Sequence, residues 1–204
     1  MSKVYTGATM SIDGYISGPD ESGFDHLFEW YGSGDIEMTT THEDLTFRLT
    51  RQSAEHVRAM IDMTGVLVVG RHLFDITSGW GGRHPLDLPV VVLTHSVPDG
   101  WPRDDAPFTF VTEGIERAIE VATEIAGGKV VGVNGGQIAR QCLEAGLLDE
   151  IWVDLAPVLL GGGRPFFDAV AGAPYALDGP VSVVQGDRVT HLRYRVRKER
   201  PSVA

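Results

Sequence analysis

The chain has 204 residues, with 28 Asp and Glu against 17 Lys and Arg, and a formal net charge of −11. That length suits a single domain with a sizeable core, and a 43 % hydrophobic content is that of a globular protein, not a disordered one. The charge argues against nucleic acid as a partner, since phosphate contacts need a concentrated basic surface.

Residues 4–10 form a short apolar run before Gly14 and read as a first strand. Residues 18–43 are rich in Gly, Asp and Ser, with Phe24, Phe28, Trp30 and Tyr31 interspersed. A connection this long in a compact domain is expected to be functional, so residues 18–45 read as a lid with Trp30 facing the substrate. Residues 53–63 carry Ala54, Val57, Met60 and Ile61 at helical spacing, Gly65 stops that helix, and residues 66–69 form a buried strand. The same unit recurs: strands at 89–94 and 108–111, a helix at 115–125, a strand at 129–133, a helix at 137–145 and a long strand at 151–160. Strands without polar alternation, separated by helices, predict a largely parallel sheet covered on both faces. Residues 181–185 and 189–197 flank Gly186-Asp187-Arg188, a hairpin connection, so the sheet is expected to be mixed. The fold class is therefore α/β, in one domain.

Cys142, the only cysteine, rules out a disulfide framework within the chain and lies in an apolar helical stretch as a small core residue. Arg193, Arg195, Arg197, Lys198 and Arg200 are the one dense basic run, and strand alternation puts most of them on a solvated face. The first ten residues lack the character of a secretory leader, and no apolar run approaches about 18 residues. A cytoplasmic protein without membrane association is expected.

Three strand ends carry unusual sequences. Gly70-Arg71 follows an apolar strand at a helix start, where backbone N–H groups and a guanidinium suit phosphate, although a solvated turn gives the same pattern. Thr94-His95-Ser96 follows the next strand and offers hydroxyl and imidazole donors, or is an ordinary polar loop. Asn134-Gly135-Gly136-Gln137 joins strand to helix, and its glycines permit either a tight turn or close approach to a ligand. All three fall at carboxyl ends of strands, where open α/β sheets bind ligands. No G-x-G-x-x-G dinucleotide fingerprint, Walker loop, H-E-x-x-H or G-x-S-x-G is present, and the seven histidines show no metal-ligand spacing. No metal is expected.

Ser11-Ile12-Asp13-Gly14-Tyr15-Ile16, Val69-Gly70-Arg71, Leu93-Thr94 and Asn134-Gly135-Gly136 occur in that order. They are followed by residues 145–151 (AGLLDEI) and 156–167 (APVLLGGGRPFF). This pattern strongly resembles the C-terminal reductase domain of the bacterial bifunctional riboflavin-biosynthesis deaminase-reductase, a relative of dihydrofolate reductase. It spans roughly residues 4–197; the deaminase half is absent. The resemblance implies a dihydrofolate-reductase-like fold and NADPH extended across the strand ends. Gly70, Arg71 and Thr94 would hold the phosphates, including the adenosine 2′-phosphate, with His95 assisting. Asn134, Gly135, Gly136 and Gln137 would receive the pyrophosphate, and Ala8 and Ile16 would flank the nicotinamide. Asp13 would be the substrate-facing carboxylate and catalytic group, though Asp13-Gly14 is also a turn pair. Asp154 would be a second substrate contact. The implied reaction is hydride transfer to a small heterocyclic or sugar-like substrate, by a homodimer. Departures from the family pattern are Leu73, where members commonly have Thr, His95, where they commonly have Ser or a basic residue, and the segment 20–43. A flavin or deazaflavin reductase on the same fold, or a non-catalytic nucleotide-binding protein, are the alternatives.

Overall fold

The computed structural model describes residues 2–198, and Arg200 of the basic run lies outside them. Strand β1 (Val4–Ser11) turns at Gly14 into the short β2 (Tyr15–Ser17). The chain then makes a turn at Pro19–Glu21, a one-turn helix α1 (Phe24–Leu27), a second turn at Glu29–Gly32, and a hairpin of β3 (Ile36–Thr39) and β4 (Thr46–Leu49). Helix α2 (Arg51–Met63), β5 (Thr64–Gly70), α3 (Arg71–Ile76), β6 (Val90–Leu93), β7 (Phe108–Val111), α4 (Ile115–Ala126), β8 (Val130–Asn134) and α5 (Gln137–Glu144) follow. The chain closes with β9 (Glu150–Ala156), the two-residue β10 (Arg164–Pro165), β11 (Leu177–Gln185) and β12 (Thr190–Val196).

Eight strands form one sheet in the order β11-β12-β9-β1-β8-β5-β6-β7. The pairs from β9 to β7 are parallel, whereas β12 runs antiparallel to both β9 and β11. The apolar runs explain the layering. In β5 and β6, Val66, Val68 and Val91 pack with α4 and α5, while Val69, Val90 and Val92 pack on the other face with Phe74 and Phe108. Both faces are buried, so neither strand can alternate with polar residues. Each such valine contributes about 2 kcal/mol by leaving water. This is the mixed, mostly parallel sheet with an antiparallel hairpin that the sequence predicts.

Some boundaries differ from expectation. Gly65 does not stop α2: β5 begins at Thr64, whose hydroxyl donates to the Met60 carbonyl at 2.7 Å. Gly65 sits within the strand because a side chain there would fall 2.6 Å from the Ala126 carbonyl oxygen. The strand expected over 151–160 ends at Ala156, before Pro157, and Val158 instead accepts a hydrogen bond from the Ile12 amide at 2.9 Å. Within the segment read as a lid, Leu27 is fully buried and Trp30 is 2 % exposed, packed with Phe47, Ala54 and Val57, while most of its other residues are part-exposed or exposed.

Candidate active site

The carboxyl edge of the sheet opens where two central strands part. β1 pairs with β8 only as far as Gly7–Asn134, yet continues beside β9 to Ser11–Ala156. Beyond Asn134 the chain turns through Gly135 and Gly136, the latter at φ 81°, a left-handed conformation that glycine adopts without strain. The Gly136 amide donates to the Phe166 carbonyl at 2.7 Å, which fixes the turn against the segment after β10. A Cβ added at Gly135 would lie 3.3 Å from Ile16 Cδ1 and 3.5 Å from Ala8 Cβ. The structure thus brings Ala8, Ile16, Asn134, Gly135 and Gly136 together, with exposed Gln137 opening α5 and no side chain capping that helix.

Gly70 ends the neighbouring strand against α5, where an added Cβ would meet Ile138 Cγ1 at 3.2 Å. Arg71 and Thr94 converge on one carbonyl: Arg71 Nη1 donates to Ser96 O at 3.0 Å and Thr94 Oγ1 donates to it at 2.9 Å. Arg71 Nε is taken by Asp75, at 2.7 and 2.9 Å from the two carboxylate oxygens. His95 is exposed beside them. Thr94, Gly70 and Asn134 therefore stand at the carboxyl ends of β6, β5 and β8, and Ala8 lies on the adjacent β1 just past its last pairing with β8.

The two carboxylates have different surroundings. Asp13 Oδ1 accepts from Ser11 Oγ at 2.6 Å and from the Leu160 amide at 3.1 Å, and Oδ2 accepts from the Gly161 amide at 2.7 Å. The Ser11 hydrogen bond is the main cause holding this carboxyl below its ordinary pKa, with the two amides adding to it. Two of these three bonds hold the glycine-rich loop to the end of β1, and the third ties Asp13 to β1 itself.

Asp154 lies on β9 opposite Thr9 and His191, on the sheet face turned toward α2. Its Oδ1 is 2.6 Å from His191 Nδ1 and 3.7 Å from His56 Nε2, and the far side of His191, Nε2, is 2.9 Å from Ser53 Oγ. Spacing in the sequence gave no sign of this group, because α2, β9 and β12 are brought together only by folding. The donor atoms of His56, Asp154 and His191 lie within 4.8 Å of one another, the reach of a metal cluster. The ring geometry opposes that use: the imidazoles stack at 4.2 Å between centroids and 20° between planes. In-plane lone pairs of two nearly parallel rings cannot meet on one nearby ion. The connectivity of Ser53, His191 and Asp154 matches a nucleophilic triad, but Ser53 is 1 % exposed and an added Cβ at Gly186 would sit 2.3 Å from its Oγ. No substrate carbonyl can reach that hydroxyl. The chain Ser53–His191–Asp154 instead orients a carboxylate whose side chain remains 25 % exposed. Trp30 does not face a cleft; it packs edge-on against His191 at 5.2 Å between centroids, behind this group.

Three residues of the basic run near the C-terminus pair locally: Arg193 bonds Glu150 at 2.8 Å and covers the Trp152 ring, Arg197 pairs with Asp178, and Lys198 pairs with Asp149. Among the described residues no helix is long and apolar enough to cross a membrane.

The profile of the RibD C-terminal domain matches residues 2–174. The chain belongs to the RibD C-terminal domain family. Among solved structures, a putative riboflavin biosynthesis protein from Shewanella sp. PV-4 superposes with a TM-score of 0.70 at 21 % identity, over 96 % of this chain and 99 % of that one. The deaminase/5-amino-6-(5-phosphoribosylamino)uracil reductase of Thermotoga maritima gives 0.60 at 14 % identity, over 96 % of this chain and 57 % of that one. Dihydrofolate reductase from Enterococcus faecalis, complexed with NADP(H), gives 0.53 at 14 % identity, over 95 % and 96 % of the two chains. No curated protein matches the sequence. The family marks the chain as an oxidoreductase domain, and its fold is similar to that of dihydrofolate reductase.

Proposed function

We propose that this RibD-type domain is an NADPH-dependent reductase acting on the C=N or C=O of a small heterocyclic or sugar-like substrate. The observation that carries the reading is the parting of β1 and β8 over Gly135, with Ala8 and Ile16 lining the gap. A side chain at Gly135 would crowd that gap, so the glycine keeps it open for a flat ring. The four neighbouring strands β1, β8, β5 and β6 span three inter-strand gaps, roughly 14 Å at about 4.8 Å each, a length suited to an extended dinucleotide. Gly135, Gly136 and the amides opening α5 would take the pyrophosphate, and Arg71 and Thr94 the 2′-phosphate. The cofactor supplies a hydride; the protein orients both partners and keeps water out.

Reduction of such a bond also needs a proton. Asp154 is the better placed carboxylate for relaying one, because His191 and Ser53 fix its orientation and its Oδ2 accepts no hydrogen bond from a described residue. Asp13 would shape the loop beside the substrate and not handle the proton. Thermal shift with NADPH and NADH tests the reading. NADPH at 100 times its Kd adds about 2.7 kcal/mol of stability, so a clear rise in Tm is expected, larger than with NADH. Arg71→Ala should remove most of that difference and leave the unliganded Tm nearly unchanged. Equal shifts by both cofactors in the parent protein would defeat the 2′-phosphate assignment.

A further inference from the structure

Between the Gly136 turn and β10 lies a cavity of about 370 Å³, lined by Gly136, Gln137 and Arg164 together with Asp20, Glu21 and Asp168. Its one cation, Arg164, is already engaged. Arg164 Nη2 donates to Glu21 Oε1 at 3.1 Å, and the same oxygen takes a hydrogen bond from His72 Nε2, on α3, at 2.8 Å. Glu21 therefore bridges two elements, β10 and α3. Burial alone would raise the Glu21 pKa, but the hydrogen bonds from Arg164 and His72 outweigh it and keep the carboxyl below its ordinary range.

The backbone that carries Glu21 is held under tension. Asp20 and Glu21 both adopt left-handed conformations, at φ 55° and 56°, which L-residues with a Cβ disfavour. Outside the Glu21 side chain the turn is closed by local bonds alone: the Ser22 amide and hydroxyl donate to the Pro19 carbonyl at 3.2 and 2.6 Å, and the Gly18 amide donates to the Ser22 carbonyl at 2.8 Å. A carboxylate on a strained turn, seated on an arginine beside an uncapped glycine turn, occupies the place where a phosphate oxygen would make the same contacts. Arginine binds carboxylate and phosphate through the same donor geometry.

We propose that Arg164 is an anion grip for the phosphate groups of a nucleotide ligand, and that Glu21 is a built-in counter-ion which the bound phosphate displaces. The identity of that nucleotide as NADPH rests on the function proposed above; the grip itself needs only a phosphate. Displacement lets the turn at residues 19–21 relax and uncouples it from α3, so ligand binding and turn movement are linked events. Ligand affinity is lowered by whatever the resting Glu21 contacts contribute, because binding must break them first.

The test measures Kd for NADPH and for inorganic pyrophosphate with the full chain at fixed ionic strength, in the parent, Glu21→Gln, Arg164→Gln and the double variant. Glu21→Gln should tighten both ligands about three- to fivefold, the range that an exposed ion pair provides. Arg164→Gln should weaken both about tenfold or more, as loss of a charge-assisted contact does. In the Arg164→Gln background, Glu21→Gln should then change Kd less than twofold, because the contact it relieves is gone. Glu21→Ala should repeat the tightening of Glu21→Gln, and melting curves establish that all variants are folded. NADPH affinity unchanged or weakened in Glu21→Gln would overturn the displacement idea while leaving the cofactor reading intact. Pyrophosphate tightening without NADPH binding by any variant would keep the grip and discard NADPH. Failure of both ligands to bind either protein would overturn both.

Discussion

At the scale of single residues, the two half-buried histidines His56 and His84 make the clearest prediction. Burial pushes each imidazole down to about 4, in His56 against the upward pull of Asp154 and with further lowering from His191 and Arg193, in His84 with help from His42. Both stay neutral in the folded protein at pH 7, whereas in the unfolded chain they titrate near 6.5. Between those values the unfolded state binds more protons, so stability falls as pH drops from 6.5 toward 4 and is unaffected by these groups above 7. The loss is at most about 3 kcal/mol for each histidine, and less where solvent screens the charge. Urea unfolding at pH 7.5 and pH 5 should show the midpoint falling, and His84→Gln should flatten part of that dependence. A stability independent of pH across this window would mean the rings are solvated. The contrast between Asp13 and Asp154 belongs to this scale too: equal chemistry, but one carboxylate is spent on backbone amides and the other is aimed by imidazole.

At the scale of elements, residues 18–45, read as a lid, carry two buried anchors, Leu27 and Trp30. Gly, Asp and Ser predicted a mobile cover, but the aromatics among them carry enough apolar area to make a second small core with α2. Trp30 joins Tyr31 at 4.4 Å and His191 at 5.2 Å between centroids, and Leu27 and Leu49 are fully enclosed. Trp30→Ala should therefore cost about 3–5 kcal/mol in urea unfolding. Trp30→Phe should cost far less, because the indole N–H is buried without a hydrogen-bond partner among the described residues and gains nothing by being there. Hydrogen exchange should find this segment protected to nearly the global stability, with faster exchange confined to the turn at residues 19–21. Rapid exchange throughout residues 18–45 would favour a mobile lid.

At the scale of the whole molecule, the sheet ends on β11, an edge strand with Leu177, Val181 and Val183 exposed by 36 %, 42 % and 57 %. An apolar edge is an invitation to pair and is rarely left bare in a soluble protein. A two-fold dimer through β11 would cover it and leave the carboxyl-edge cleft open, since β11 and the cleft strands β1 and β8 are separated by β12 and β9. Sedimentation at micromolar concentration should give twice the 22.1 kDa chain mass, and Val183→Lys should return it toward one. A parent protein that sediments as a single chain would end this expectation.

The sequence by itself determined the layered α/β architecture, because strands buried on both faces must be continuously apolar and helices must be amphipathic. Val66, Val68 and Val69 announce that burial whatever they touch. It also placed Gly70, Arg71, Thr94 and Asn134-Gly135-Gly136 at strand ends, since glycine and polar residues break an apolar run just where the sheet stops. Only the tertiary structure decided which polar groups meet. Ser53, His56, Asp154 and His191 come from three elements up to 138 positions apart, and Glu21 reaches His72 and Arg164 across 51 and 143 positions. Periodicity reports a residue's own environment along its element; it carries no information on distant partners. The same limit hid the burial of Trp30 and the clamping role of Asp13, because whether a polar or aromatic residue faces solvent, ligand or core depends on the chain that folds against it.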